Sequence, residues 1–136
     1  MACFSFADRE QVRALLIDDD ADDIAIIIRL AAKSKQLDIR LRACSSTEQA
    51  QTLMTDCAFD IVYIDYWLGT ETSIPFISGF TKISDAPCVL LTGLDEPDIR
   101  RLAFRAGVKA FLSKEEISAQ AIEGVTLAVL GGGARN

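Results

Sequence analysis

Four short apolar runs, each followed by a chemically reactive residue, constrain the fold of this chain more than any other feature. The reactive residues are Asp18 and Asp19 after the first run, followed along the chain by Asp65, Thr92 and Lys114. Apolar runs of this length are typical of parallel strands that are buried on both faces. The carboxyl ends of parallel strands meet at one edge of a sheet, so we expect these side chains to lie together at that edge.

Segments with helical signals alternate with the apolar runs. The predicted strands cover residues 12–17, 38–43, 61–64, 88–91 and 110–112, and the second alternates apolar and charged residues as a half-exposed edge strand does. Five strand–helix units of this size predict an α/β fold with an open parallel sheet and helices on both faces.

Capping signals place the helices. They are Asp20 for the first helix, two overlapping boxes (Ser45 with Glu48, Ser46 with Gln49) for the second, Pro75 for the third, Asp95 for the fourth and Ser118 for the fifth. The first helix is expected over residues 21–35, the second to about Asp56, and the fourth to Gly107.

The spacing of apolar residues predicts which helical faces pack on the sheet. The expected buried residues are Ile24, Ile27, Ile28 and Ala31 in the first helix, Ile99, Leu102, Ala103 and Ala106 in the fourth, and Ile122, Val125 and Val129 in the fifth. Ile26 and Leu30 lie off the face of the first helix, where they are either covered by neighbours or part of a docking surface.

Length and charge exclude several classes of protein. The chain has 136 residues, which predicts one domain over residues 12–130, with an N-terminal extension of residues 1–11 and a flexible tail of residues 131–136. Its net charge of -6 argues against a nucleic-acid partner. No apolar run has the length of a membrane span and no signal peptide is apparent, so we expect no membrane association and a cytoplasmic protein.

The cysteine and histidine content excludes further chemistry. Cys3, Cys44, Cys57 and Cys88 are widely spaced and the chain has no histidine. Spacings of this kind do not suit a zinc site, so we expect reduced thiols. Mechanisms that use Ser–His or Cys–His pairs are excluded outright.

The chain resembles the receiver domain of two-component response regulators. The resemblance covers residues 12–130 and rests on four segments in the same order, residues 15–20 (LLIDDD), 59–65 (FDIVYID), 89–93 (VLLTG) and 106–114 (AGVKAFLSK). It implies a flavodoxin-like five-stranded sheet in the order 2-1-3-4-5. It also implies that a histidine kinase or a histidine phosphotransfer protein phosphorylates Asp65.

The resemblance assigns roles to the polar edge. Asp19 and Asp65 would bind Mg²⁺ through their side chains, Asp18 would act mainly through water, and Trp67 would supply its backbone carbonyl. Thr92 and Lys114 would contact the transferred phosphoryl group. The chemistry agrees, because converging carboxylates repel and raise at least one pKa, and Mg²⁺, which prefers oxygen ligands, relieves that repulsion.

The resemblance also implies a switch. A phosphoryl group on Asp65 would draw Thr92 inward and let Phe111 rotate into the space behind it. The face formed by the fourth helix, fifth strand and fifth helix would then change its shape and its affinity for a downstream protein. No output domain follows the receiver-like segment, so we expect a single-domain response regulator, not an enzyme, that switches partner binding or acts as a phosphate sink.

Two positions depart from the family pattern. Glu115 follows Lys114 where the family usually has proline, so we expect an ordinary trans peptide bond there. Gly69 stands four residues after Asp65, where proline is common, so we expect that loop to be looser or differently shaped.

Two other functions remain open from the sequence. One is a phosphatase or hydrolase with an Asp nucleophile, although Trp67 stands where such enzymes carry a second acid. The other is a receiver that binds partners without being phosphorylated, against which the intact set of reactive residues argues.

Overall fold

Five parallel strands form the sheet in the part of the chain that the computed structural model describes, residues 9–93 and 96–132. Numbered in chain order, the strands are β1 (Glu10–Ile17), β2 (Leu37–Cys44), β3 (Ile61–Asp65), β4 (Trp67–Leu68), β5 (Glu71–Thr72), β6 (Cys88–Thr92) and β7 (Val108–Ser113). The sheet has the order β2-β1-β3-β6-β7, and β4 and β5 form a separate antiparallel hairpin. The predicted α/β fold and the predicted order 2-1-3-4-5 are therefore confirmed.

Helices cover both faces of the sheet. They are α1 (Ala21–Ala31), α2 (Thr47–Asp56), α3 (Ile74–Phe80), α4 (Pro97–Ala106) and α5 (Ala119–Leu127), followed by a π-helical segment over Ala128–Gly132. Leu15, Ile17, Val62, Ile64 and Leu90 pack with α2, α3 and α4, whereas Val12, Leu16, Tyr63, Val89 and Leu91 pack with α1 and α5. Neighbouring strand residues are thus buried on opposite faces, which explains why the central strands are continuous apolar runs.

Three of the predicted caps are present. Asp20 accepts hydrogen bonds from the N–H groups of Asp22 and Asp23, and Ser118 accepts one from Ala121. Ser46 caps α2, so only the second of the two overlapping boxes is used. The predicted cap Asp95 lies outside the described residues, and Glu96 occupies the N-cap position of α4.

The first helix is shorter than predicted because a distant carboxylate captures the backbone after it. The helix ends at Ala31 rather than at Lys35. Glu123 of α5 accepts hydrogen bonds from the N–H groups of Lys35 and Gln36, each at 2.8 Å, and from the hydroxyl of Ser34. These hydrogen bonds also lower the pKa of Glu123, and the one from the N–H of Gln36 has the largest effect.

Two predicted core residues are exposed. Ile28 and Leu102 are 42% and 50% exposed, whereas Leu30, predicted to lie off the buried face, packs partly against the core. The spacing of apolar residues predicts that a helix has a buried face. How the helix is rotated about its axis, and so which residues that face includes, depends on its packing against the sheet. Ile26 is 44% exposed.

The predicted domain limits agree only in part with the described residues. Glu10 and Gln11 begin β1, and Gly131 and Gly132 belong to the π-helical segment. Residues 1–8, which include Cys3, and residues 133–136 lie outside the described residues. Cys44, Cys57 and Cys88 are free thiols, and burial raises the pKa of Cys44 and Cys88. Within the described ranges, no helix combines the length and apolar character that a membrane crossing requires.

Gly107 has no room for a side chain. Its φ is +114°, and an added Cβ would lie 2.7–2.9 Å from side-chain atoms of Thr81. We predict that Gly107→Ala lowers the free energy of unfolding by about 2–3 kcal/mol, since backbone strain and overpacking add. Gly79→Ala is the matched control, because its Cβ meets open space in α3, and it should be neutral or stabilising by about 1 kcal/mol. Urea unfolding measures both, and equal stabilities would contradict the prediction.

Candidate functional site

The reactive residues predicted from the sequence do meet at the carboxyl edge of the sheet. Asp18 and Asp19 follow β1, Asp65 ends β3, Thr92 ends β6 and Lys114 follows β7. The backbone N–H of Lys114 donates to the carbonyl of Thr92 at 3.0 Å, which fixes the turn after β7 against β6. β1 and β3 are neighbours, and the chain leaves β1 toward β2 on the opposite side. The site therefore lies where the strand order reverses, the usual ligand position in such sheets.

Three carboxylates converge there. One oxygen from each of Asp18, Asp19 and Asp65 lies within 4.8 Å of the other two. Asp18 is fully buried and Asp65 is 9% exposed, whereas Asp19 is open to solvent. The predicted cluster of acids is thus a partly buried one.

Lys114 balances part of this negative charge. Its Nζ lies 2.9 Å from Asp18 Oδ2, 3.1 Å from Asp65 Oδ2 and 2.7 Å from Asp23 Oδ2. The peptide bond to Glu115 is trans as predicted, since there are no cis bonds among the described residues.

Asp23 is the site residue that the sequence interpretation missed. It stands in the first turn of α1, where an acidic residue is ordinarily explained by its favourable effect on the helix start alone. The one signal for it in the sequence is the number of acidic residues in this segment. A helix cap and a metal site account for fewer than the five that are present, Asp18, Asp19, Asp20, Asp22 and Asp23.

Burial and mutual repulsion perturb the ionisation of the site. Burial, followed by the charge of Asp18, raises the pKa of Asp65 to about 6, although Lys114 opposes the shift. Burial also raises the pKa of Asp18. For Lys114, burial lowers the pKa, but the contacts to Asp23 and Asp18 outweigh it and the net shift is upward. The predicted rise of a carboxylate pKa is confirmed, with desolvation as a larger cause than repulsion.

The donor set fits a hard divalent cation. Oδ2 of Asp18 is buried and, apart from its ion pair with Lys114, accepts no hydrogen bond. Three carboxylates without a nearby imidazole or thiolate suit Mg²⁺ better than zinc or copper. Asp18, Asp19 and Asp65 would hold the ion, which would neutralise charge on a bound phosphoryl group. A role for the backbone carbonyl of Trp67 stays a prediction.

The loop after Asp65 forms a short antiparallel hairpin. Trp67 pairs with Thr72 and Leu68 with Glu71. Gly69, at the tip with φ +69°, donates its N–H to Asp19 Oδ2 at 2.7 Å. A proline there would lack this donor, so the glycine permits a contact between the hairpin and the acidic cluster.

The predicted switch residues flank a cleft beside the site. The cleft has a volume of about 420 Å³ and is lined by Thr92, Gly93, Ile99, Arg100, Phe111, Ser113, Glu115 and Glu116. The ring of Phe111 lies between two side chains of α4, with the Arg100 guanidinium 4.7 Å from its centroid and Phe104 edge-on at 5.1 Å.

The solved structures that share this architecture include several response regulators. A two-component response regulator from Clostridium difficile matches with a TM-score of 0.79 and 18% identity, over 88% of this chain and 96% of that one. A two-component response regulator of the LuxR family from Aurantimonas matches with a TM-score of 0.78 and 19% identity, over 90% of this chain and 87% of that one. The phosphorylated cyanobacterial phytochrome response regulator RcpA matches with a TM-score of 0.75 and 15% identity, over 89% of this chain and 95% of that one.

This chain has the receiver-domain fold. Neither a protein-family model nor a curated protein matches its sequence. Structural likeness at 15–19% identity establishes the fold, so the function has to be argued from the site.

The raised pKa of Asp65 makes stability depend on pH. The folded pKa of about 6 exceeds the ordinary 3.8, so the folded protein binds more protons between these values and loses stability as the pH rises through them. We predict that Asp65→Asn stabilises the metal-free protein by about 2 kcal/mol near pH 8, and that the gain disappears near pH 4.

Urea unfolding in the presence of a chelator measures this difference. Asp56→Asn, which removes the same charge from an exposed position in α2, is the matched control. A gain from Asp65→Asn that does not change with pH would contradict the prediction.

Proposed function

We propose that this protein is a response regulator that accepts a phosphoryl group on Asp65 from a histidine kinase or a histidine phosphotransfer protein. The observation that carries the proposal is the position of the Asp65 carboxylate, within 4.8 Å of the Asp18 and Asp19 oxygens and 3.1 Å from the Lys114 ammonium. A nucleophile, a set of hard-cation ligands and a fixed cation are what phosphoryl transfer to a carboxylate requires.

Each residue has a role in the proposed transfer. An oxygen of Asp65 attacks phosphorus, the oxygen–phosphorus bond forms, and the phosphorus–nitrogen bond to the donor histidine breaks with its electron pair going to nitrogen. Lys114 donates hydrogen bonds to the phosphoryl oxygens and compensates their charge. The hydroxyl of Thr92 donates to another of these oxygens. Asp18, Asp19 and Asp65 would hold Mg²⁺, which would supply further charge neutralisation.

The protein in this proposal is a stoichiometric acceptor rather than an enzyme. We predict that wild-type protein with Mg²⁺ and acetyl phosphate gains one phosphoryl group, and that Asp65→Asn gains none because it lacks the nucleophile. Intact mass spectrometry measures the addition. Asp56→Asn, with the same change of charge, should be modified as readily as wild type.

Two outcomes would overturn the proposal. Modification of Asp65→Asn at the wild-type rate would place the acceptor elsewhere. Continuous turnover of a phosphomonoester, with no accumulation of phosphoprotein, would support the hydrolase alternative.

The contacts of Phe111 support a switch in the same protein. The cleft beside Thr92 offers space for its ring, and the ring touches Arg100 and Phe104 on α4. Phe104 is 54% exposed, so movement of Phe111 would alter the surface formed by α4, β7 and α5, which we propose as the binding face for a downstream protein.

We predict that phosphorylation changes the ring resonances of Phe111 in wild-type protein and that Thr92→Ala reduces this change by at least about half, because the hydroxyl links the phosphoryl group to the cleft. NMR of phenylalanine-labelled protein under continuous phosphodonor measures the shifts. Phe76, which packs on Phe80 in α3, serves as the internal control. An equal shift of Phe111 in both proteins would show that Thr92 does not transmit the signal.

A further inference from the structure

Resting on the proposed function, we propose that Asp23 is a positioning residue for Lys114. In this role the Asp23 carboxylate holds the lysine ammonium beside the acidic cluster, so that it stays within reach of the oxygens carried by Asp65. The juxtaposition of Asp23 on α1 with Lys114 after β7 is the observation that supports it.

The ammonium has as many partners as it has donors. A lysine carries three N–H groups, and three carboxylates, those of Asp18, Asp23 and Asp65, lie 2.7–3.1 Å from Nζ. Asp23 makes the shortest of these contacts and a hydrogen bond.

Phosphorylation does not require Lys114 to leave Asp23. The ammonium, 3.1 Å from Asp65 Oδ2 in the resting protein, would meet a phosphoryl oxygen once Asp65 is modified. It can keep its hydrogen bond to Asp23 and its ion pair with Asp18. Asp23 therefore does not compete with the phosphoryl group for the lysine.

The position of Asp23 makes it a suitable anchor. Asp23 lies on a helix whose start is capped by Asp20 and whose Ile27 and Ala31 are buried against the sheet. The Lys114 side chain is 22% exposed and has a long flexible stem, which costs about 2 kcal/mol of rotamer entropy to fix. A carboxylate fixed to that helix reduces the freedom of the lysine stem before the donor arrives.

The test is the rate of phosphorylation by acetyl phosphate at saturating Mg²⁺, followed by intact mass. We expect Asp23→Ala to lower the maximal rate about 10-fold, with the half-saturating donor concentration unchanged, because positioning affects the reacting complex. Asp23→Asn keeps an acceptor oxygen without the charge and should lose only about 3-fold. Asp22→Ala removes an exposed charge from the same turn and should stay within about twofold of wild type.

A second measurement does not depend on phosphorylation. NMR of ¹⁵N-lysine-labelled protein reports the mobility of the Lys114 ammonium, with the signal assigned from Lys114→Arg. We expect a restrained Lys114 in wild type and Asp22→Ala, and a mobile one in Asp23→Ala. Urea unfolding of each variant confirms that the proteins compared are folded.

The outcomes separate this inference from the proposed function. A wild-type protein that gains no phosphoryl group would refute the proposed function, while the NMR comparison would still decide whether Asp23 holds the lysine. Asp23→Ala that reacts at or above the wild-type rate would overturn the inference and leave the function standing. An equal loss in Asp22→Ala would also overturn it, since the effect would then be one of general charge.

Discussion

The interaction on which the site depends is the ion pairing of Lys114 with carboxylates that are partly withdrawn from water. Asp18 is fully buried and Asp65 nearly so, and each is costly to keep charged in that position. Lys114 reaches both from the end of β7, two strands from Asp65 and three from Asp18, and its backbone is fixed by the bond to Thr92. The cluster retains an excess of negative charge. This charge would attract a cation, and the cation would in turn attract a phosphoryl group.

Two contacts from outside the sheet complete the cluster. Asp23 approaches from the first turn of α1 and binds the ammonium, and Gly69 approaches from the hairpin and binds Asp19. The positive φ of Gly69 is unstrained because glycine has no side chain. Its N–H is available to bind Asp19 because the residue is not a proline. The hairpin and the helix thus each hold one member of the site.

The sequence predicted the main elements because their signals are local. The runs around Ile61 and Leu90 could only be buried strands, and Asp20 and Ser118 are capping residues whose partners are a few positions away. The polar edge followed from topology, since any parallel sheet brings the carboxyl ends of its strands together.

Errors arose where a distant residue decides the structure. The first helix ends early because Glu123, 88 and 87 positions away, binds the N–H groups of Lys35 and Gln36. Ile28 was assigned to the buried face because periodicity cannot show how a helix is rotated against its sheet.

The amino-acid sequence by itself determined the alternation of strands and helices and the acidic residues, threonine and lysine at the strand ends. Each of these features depends on residues that are close together in the sequence. Only the tertiary structure decided that Asp23 joins Lys114 and that Gly69 binds Asp19, because these contacts span 91 and 50 positions and depend on distances that no local pattern encodes.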